Sequence, residues 1–274
     1  MKWLTLNIHS WMEKETIKKM DILANFIISQ DLDGISLQEV NQLIDAQNEV
    51  NPLHFISPEN ERPVIKQDNY ALCLVKKLAE LGATYYWSWT YSHIGYDIYE
   101  EGVAILSKVP IKPYAVLVSN VDDKKSVQRR MMLCAELTVS SKPILVTSNH
   151  YSWWDTDSRT GFQIEWKLSK QYLDKFSGVK LLFGDFNGPD NIKNETYDLV
   201  NETFIDTYKL SDKVIGHYTI PEEIDGWEGT KEQFRIDYAF ISEKHRVRLH
   251  QVVLDGDIYP CVSDHYGIMV LIDM

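Results

Sequence analysis

Apolar runs of strand length recur from Lys2 to Ile272 with helical patterning between them, and this alternation restricts the chain to sheets carrying helices on their outer faces. Lys2 to Asn7 reads as a strand. Ile17, Met20, Ala24, Ile27 and Ile28 then recur at the spacing of one helix face, and residues 35–40 read as the next strand. A second helix is expected from Asp68, capped by Asp68 or Asn69, with Ala71, Leu74, Val75 and Leu78 on its apolar face and Gly82 as its stop. Strand-like runs follow at 103–106, 115–118, 131–137 and 144–148, then a helix over about 161–176. The second half repeats the pattern with strands at 180–183, 235–241, 248–254 and 267–272. No long linker or short-period repeat interrupts the order, so residues 1–274 are expected to form one domain of mixed α/β class.

Composition narrows the partners. The longest apolar stretches are about five residues against the roughly 20 that a bilayer span requires, so no membrane partner is expected. The opening segment has no basic region followed by an apolar one, which makes a cytoplasmic location the expectation. Cys73, Cys134 and Cys261 lie far apart and are odd in number; they read as buried free thiols rather than a disulfide framework or a zinc site. Lys plus Arg total 28 against 40 for Asp plus Glu, and the formal charge of −12 disfavours nucleic acid. The nearest thing to a basic track is Lys124, Lys125, Arg129 and Arg130, set beside Asp122 and Asp123.

Polar residues occur where strands should be ending. Asn7, Glu39, His150, Asp185, Asn187, Asp264 and His265 each lie inside or just beyond an apolar run, the place where ligand sites in α/β sheets collect. In Leu181-Leu182-Phe183-Gly184-Asp185-Phe186-Asn187, Gly184 suggests a tight turn and the i, i+2 spacing turns an acid and an amide toward one cavity. Asp185 then orients or deprotonates a water while Asn187 donates a hydrogen bond. Asp264 and His265 are adjacent and so face different neighbours; an oxygen ligand for Mg²⁺ and an imidazole for phosphate fit that divergence. Read singly, an Asp-x-Asn is usually a turn and a Ser-Asp-His a surface loop. Read as a set, several strands ending in acid, amide and imidazole match what hydrolysis of a phosphate ester needs.

Taken in order, Thr5-Leu6-Asn7, Leu37-Gln38-Glu39-Val40, Gly102 to Ser107, Asn149-His150, Gly184 to Asn187, Arg235-Ile236-Asp237-Tyr238 and Ser263-Asp264-His265 resemble the endonuclease/exonuclease/phosphatase, or DNase I-like, superfamily over nearly the whole chain. The resemblance implies a four-layer sandwich of two mixed β-sheets flanked by helices. It implies Glu39 as the main ligand of Mg²⁺, or of Mn²⁺, with Asn7 and Asp264 beside it. Asp185 positions the attacking water with help from Asn187, His265 is held by Asp237, and His150 contacts the phosphate or the leaving group. An Asp in the apolar run around Asp237 is expensive unless paired, which a histidine partner resolves. His9 stands where some nuclease members carry an Asp and other members a histidine, and it is a candidate substrate contact. Tyr151-Ser152-Trp153-Trp154 replaces the polar segment of many nucleases.

The outer walls decide the substrate. Trp87, Trp89, Trp153, Trp154 and Trp227 are candidates to stack on a sugar face, Trp153 and Trp154 foremost because they follow His150 closely. Arg130 either binds the phosphate or is an exposed charge at a strand start. The segments 7–12, 68–72 and Gly95-Tyr96-Asp97 before Glu101-Gly102 are most similar to the bacterial maltose 6′-phosphate phosphatase branch. The expectation is a phosphatase acting on a small phosphorylated sugar, with a metal-dependent nuclease as the alternative and a non-catalytic binding module a distant third.

Overall fold

The structure, a computed structural model, describes residues 1–155, 160–221, 224, 227, 229 and 231–274. In the first half, β1 (Lys2–Asn7), α1 (Thr16–Ser29), β2 (Gly34–Leu43) and α2 (Tyr70–Glu80) precede four strands. These are β3 (Tyr86–Gly95), β4 (Tyr99–Ser107), β5 (Lys112–Leu117) and β6 (Met131–Val139). Then come β7 (Lys142–His150), α3 (Phe162–Leu173), β8 (Val179–Asp185), α4 (Thr196–Asn201), β9 (Ile205–Asp206) and α5 (Thr207–Leu210). The chain closes with β10 (Val214–Ile215), β11 (Asp237–Ile241), β12 (Val247–Val253) and β13 (Gly267–Ile272). No helix among the described residues is long and apolar enough to cross a membrane.

The strands form two mixed sheets, ordered β10-β12-β13-β1-β2-β4-β3 and β5-β6-β7-β8-β11-β9. Alternation of side chains builds the layers. Trp3 of β1 packs between the sheets with Ile105, Leu181 and Phe183, while its neighbours Leu4 and Leu6 pack on the other face against Leu23, Ala24 and Ile27 of α1 and Leu74 and Leu78 of α2. On the second sheet, Leu181, Phe183, Ala239 and Ile241 point inward, and Leu182, Tyr238 and Phe240 point outward under Phe162 and Trp166 of α3 and Tyr197 of α4. The result is helices, sheet, sheet, helices: the four-layer DNase I-like sandwich.

Local expectations hold where chemistry is local. Asn69 caps α2, its side chain accepting from the Leu72 N–H at 3.2 Å, and Gly82 follows the helix with φ of 86°. Gly184 departs from expectation, for it lies within β8 and not in a turn. A Cβ there would stand 2.0 Å from the carbonyl oxygen of Asn149 on β7, so glycine is required by the close approach of two backbones and by its φ of 147°. The strand expected at 235–241 begins at Asp237, and β3, β9, β10, α4 and α5 were not expected as elements. Of the three thiols only Cys134 is buried, Cys73 and Cys261 being half-buried.

Candidate active site

Along the inward rows of both sheets, apolar residues give way to polar ones at a single end. Trp3 and Thr5 lead to Asn7; Ile144, Val146 and Ser148 to His150; Leu181 and Phe183 to Asp185; and Ile241 and Ala239 to Asp237. The register places these residues side by side, since His150 pairs with Asp185 across β7 and β8, and Asp185 with Asp237 across β8 and β11. Where the apolar core ends, its polar edge is hydrogen-bonded internally. Gln38 Nε2 donates to Ser148 Oγ at 2.9 Å, and Ser36 Oγ to the Thr147 carbonyl at 2.9 Å.

Glu39 reaches the cavity by a different route. In β2, residues Ile35 and Leu37 face the helices, and unbroken alternation would send Glu39 the same way. A β-bulge between Leu37 and Val40, with Glu39 at φ of 52°, turns its carboxylate into the cavity instead. Asn7 Nδ2 then donates to Glu39 Oε1 at 2.8 Å and to Asp185 Oδ2 at 3.1 Å. His150 Nε2 lies 3.9 Å from Glu39 and 3.7 Å from Asp185, and His265 Nε2 lies 3.8 Å from Asp185. Six of the seven strand-end residues singled out in the sequence therefore line one cavity of about 520 Å³, and the seventh, Asn7, is buried behind it and bridges two of its carboxylates.

Protonation states follow from burial and neighbours. His265 Nδ1 meets Asp237 Oδ2 at 2.9 Å; burial alone would lower its pKa, but the charge and hydrogen bond of Asp237 raise it well above the ordinary histidine value. His150 is held well below that value by burial, aided by Arg130, so the two imidazoles flanking Asp185 carry opposite protonation states. Burial and the Asp237 carboxylate push Asp185 up to about 7, against the Asn187 N–H that its Oδ1 accepts at 2.8 Å. Asp264 and His265 diverge as adjacent residues should: His265 turns to Asp237, while Asp264 lies 3.6 Å from His9 Nδ1.

The donor set suits a hard divalent cation. Glu39 is raised by burial and then by the Asp264 carboxylate, which means that two acidic groups crowd one space whose repulsion a cation would relieve. Glu39 and Asp264 offer carboxylate oxygens, Asn7 beside them turns its Nδ2 to Glu39 while its Oδ1 accepts the His9 N–H at 3.2 Å, and no cysteine lines the cavity among the described residues. A further cluster of His9, Glu13 and Asp264, and another of Asp185, Asp237 and His265, hold ligand-type atoms within 4.8 Å of one another.

Several expectations need correction. Trp87 and Trp89 are fully buried on the helix side of their sheet, their indoles donating to Leu53 and Val40 carbonyls, and cannot meet a substrate. Trp153, Trp154 and Trp227 do line the cavity, Trp153 at 45% exposure. Asn187 lines it too, but through a left-handed backbone at φ of 47°, and its Nδ2 is engaged by the Tyr151 carbonyl at 2.8 Å. That bond uses one of the two amide hydrogens, and the backbone N–H of Asn187 separately donates to Asp185 Oδ1 at 2.8 Å. Arg130 is no exposed charge: it is 6% exposed and faces the cavity.

Three residues escaped the sequence reading. Glu101 shares the inward row of Val103 and Ile105 on β4 and lies 3.8 Å from His150 Nδ1 and 3.3 Å from His93 Nε2. Burial and the Glu39 charge push it up to about 8. Its parity with Val103 and Ile105 was the available signal. His93 was hidden by a register shift after Tyr91. Glu13, which meets His9 Nδ1 at 3.1 Å and accepts the Asp264 N–H at 3.1 Å, belongs to no strand end.

The model of the Endonuclease/Exonuclease/phosphatase family matches residues 11–265. No curated protein matches the chain in sequence. Among solved structures, an endonuclease/exonuclease/phosphatase family protein from Leptotrichia buccalis superposes with a TM-score of 0.87 at 28% identity, covering 100% of both chains. A mannosyl-6-phosphatase from Bacteroides thetaiotaomicron covers 100% of both chains with a TM-score of 0.71 at 16% identity. Truncated TDP2 from Caenorhabditis elegans reaches a TM-score of 0.63 at 15% identity, over 100% of this chain and 97% of its own. The last two likenesses establish the fold alone. With the match extending over nearly its whole length, the chain belongs to the Endonuclease/Exonuclease/phosphatase family, whose members are metal-dependent hydrolases of phosphoesters.

Proposed function

We propose that the chain is a Mg²⁺- or Mn²⁺-dependent phosphomonoesterase acting on a small phosphorylated sugar. The observation that carries the reading is the meeting of Glu39, Asp185, His150 and His265 at one cavity small enough for a single metabolite. Glu39, Asn7 and Asp264 would hold the cation, which when bound polarises a phosphoryl oxygen as a Lewis acid.

The chain's own groups do the rest. Asp185, fixed by the Asn7 amide on one oxygen and the Asn187 N–H on the other, orients a water and takes its proton. His265, kept cationic by Asp237, opposes the charge that grows on the phosphoryl oxygens. His150 faces Asp185 from the other side, within reach of the phosphate or the departing oxygen. Arg130 supplies a second cation, and the walls of Trp153 and Trp154 offer stacking surface for a sugar ring.

No lysine lines the cavity among the described residues, which suits a small monoester better than a polynucleotide track. The mannosyl-6-phosphatase likeness supports the same choice, and the TDP2 likeness makes nucleic-acid cleavage the reading to test against. Pure protein with Mg²⁺ should release phosphate from members of a sugar-phosphate panel and leave plasmid DNA and oligonucleotides intact. Strand cleavage without phosphate release from any monoester refutes the proposal. Asp185→Asn should abolish turnover in a folded protein, and Glu39→Gln should shift the Mg²⁺ activation curve to higher concentration. An unchanged metal titration removes Glu39 from the cation's shell.

A further inference from the structure

Arg130 is buried at the cavity wall, and a guanidinium in that position needs its donors matched. Its Nε donates to Ser152 Oγ at 3.1 Å, and its backbone N–H to Ser119 Oγ at 3.0 Å. Among the described residues no hydrogen bond or ion pair engages either Nη group, so the planar fork is left toward the cavity. Behind it, the Ser152 N–H donates to Glu165 Oε2 at 2.8 Å. Glu165 sits in the first turn of α3 at 1% exposure and forms no ion pair within 4 Å among the described residues. Burial pushes its carboxyl up, while the charge of Arg130 and the hydrogen bonds of Ser152 pull it back. A buried cation and a buried anion thus share one serine, whose hydroxyl holds the first and whose main chain holds the second.

We propose that Ser152 and Glu165 are positioning residues that hold the Arg130 fork toward the cavity, and that the held fork selects dianionic phosphomonoesters over phosphodiesters. This rests on the reading of the site as a phosphomonoesterase. A guanidinium fork takes two oxygens of a phosphate side by side. A monoester has three terminal oxygens and close to two charges near neutral pH, so one oxygen remains for the Glu39, Asn7 and His265 side of the cavity. A diester has two terminal oxygens and one charge, and cannot serve both sides. Deleting the support loosens the fork without removing it, so the loss falls on monoesters first.

The test measures kcat and KM for p-nitrophenyl phosphate and bis(p-nitrophenyl) phosphate with Mg²⁺, and inhibition by inorganic phosphate. The proteins are the unaltered chain, Ser152→Ala, Ser152→Thr and Glu165→Gln, each checked for folding by far-UV circular dichroism. The unaltered chain should prefer the monoester. Ser152→Ala and Glu165→Gln should lower the monoester-to-diester ratio of kcat/KM about tenfold, a difference of about 1.4 kcal/mol, mainly through a higher monoester KM and weaker phosphate inhibition. Ser152→Thr keeps the hydroxyl and should retain most of the preference. An unchanged ratio, or a proportional fall for both substrates, overturns the role given to Ser152 and Glu165 while leaving the phosphomonoesterase reading intact. An unaltered chain that hydrolyses the diester and no monoester overturns both. Should Glu165→Gln fail to fold, the comparison of Ser152→Ala with Ser152→Thr decides alone.

Discussion

Phe186 lies between Asp185 and Asn187 in sequence, yet it is fully buried on the opposite side of the sheet. Its ring centroid stands 5.1 Å from Tyr151, 5.2 Å from Phe240, 5.6 Å from Tyr238 and 6.3 Å from Phe162. Removing the ring in Phe186→Ala forfeits about 1.5–3 kcal/mol of transfer free energy. A cavity term is added because Tyr238 and Phe240 in β11, Phe162 in α3 and the buried Tyr151 just after β7 cannot close the gap, which brings the expected loss to about 4 kcal/mol. That is a large share of the roughly 5–15 kcal/mol by which domains are stable. Urea unfolding followed by tryptophan fluorescence should show the midpoint fall with the slope unchanged, and Phe186→Leu, which conserves most of the volume, should lose less than about 1.5 kcal/mol. If alanine and leucine behave alike, both losing less than about 1.5 kcal/mol, the ring does not anchor the Asp185 to Asn187 segment and the argument is wrong.

Gly184→Ala drives a Cβ against the Asn149 carbonyl and should part β7 from β8; a melting temperature within about 2 °C of the unaltered chain would contradict the close approach. Asp237→Asn removes the negative partner of His265 while keeping its shape, so kcat should drop roughly 10²-fold or more in a folded but less stable protein, and a kcat within a few-fold removes His265 charge from the reaction. His250 is buried, hydrogen-bonded to Thr207, and held down to about 4 by burial, against about 6.5 in an unfolded chain. Above pH 6.5 neither state binds its proton, and as pH falls from about 6.5 to about 4 the unfolded chain takes it up first. Stability therefore drops over that window, by up to about 3 kcal/mol from this one group. The stability curve of His250→Asn should be flatter than that of the unaltered chain between pH 4 and 6.5, and parallel curves would exclude His250 as a source of the slope.

Much of the site was legible because strand alternation is local information. Once Trp3, Leu181 and Ala239 are assigned to the inter-sheet face, Asn7, Asp185 and Asp237 follow at the next even steps, and the hydrogen-bond registers bring them together. Glu39 was found by its place in an apolar run and its metal role by the family resemblance, but the direction of its side chain was not legible, because the bulge that re-aims it leaves no mark in a hydrophobic pattern. His93 was lost to a similar shift. Trp87 and Trp89 were misjudged for the reverse reason: an indole in a strand looks the same in sequence whether it faces helices or ligand, and only the packing of α2 against that sheet decides. The link from Arg130 through Ser152 to Glu165 joins three segments across 35 positions by side-chain and main-chain contacts alone, which no local signal reports.

His150, Asp185 and Asp237 occupy consecutive strands of one sheet in direct register, whereas Arg130 precedes its strand and Trp153 and Trp154 stand on the connection that leads into α3. The groups proposed to act on the phosphate are thus spaced by the backbone ladder itself and not by a loop. On the proposed reading, insertions or exchanges in the connection reshape what the protein accepts while the row of His150, Asp185 and Asp237 stays fixed, so selectivity and chemistry in this architecture are free to drift separately.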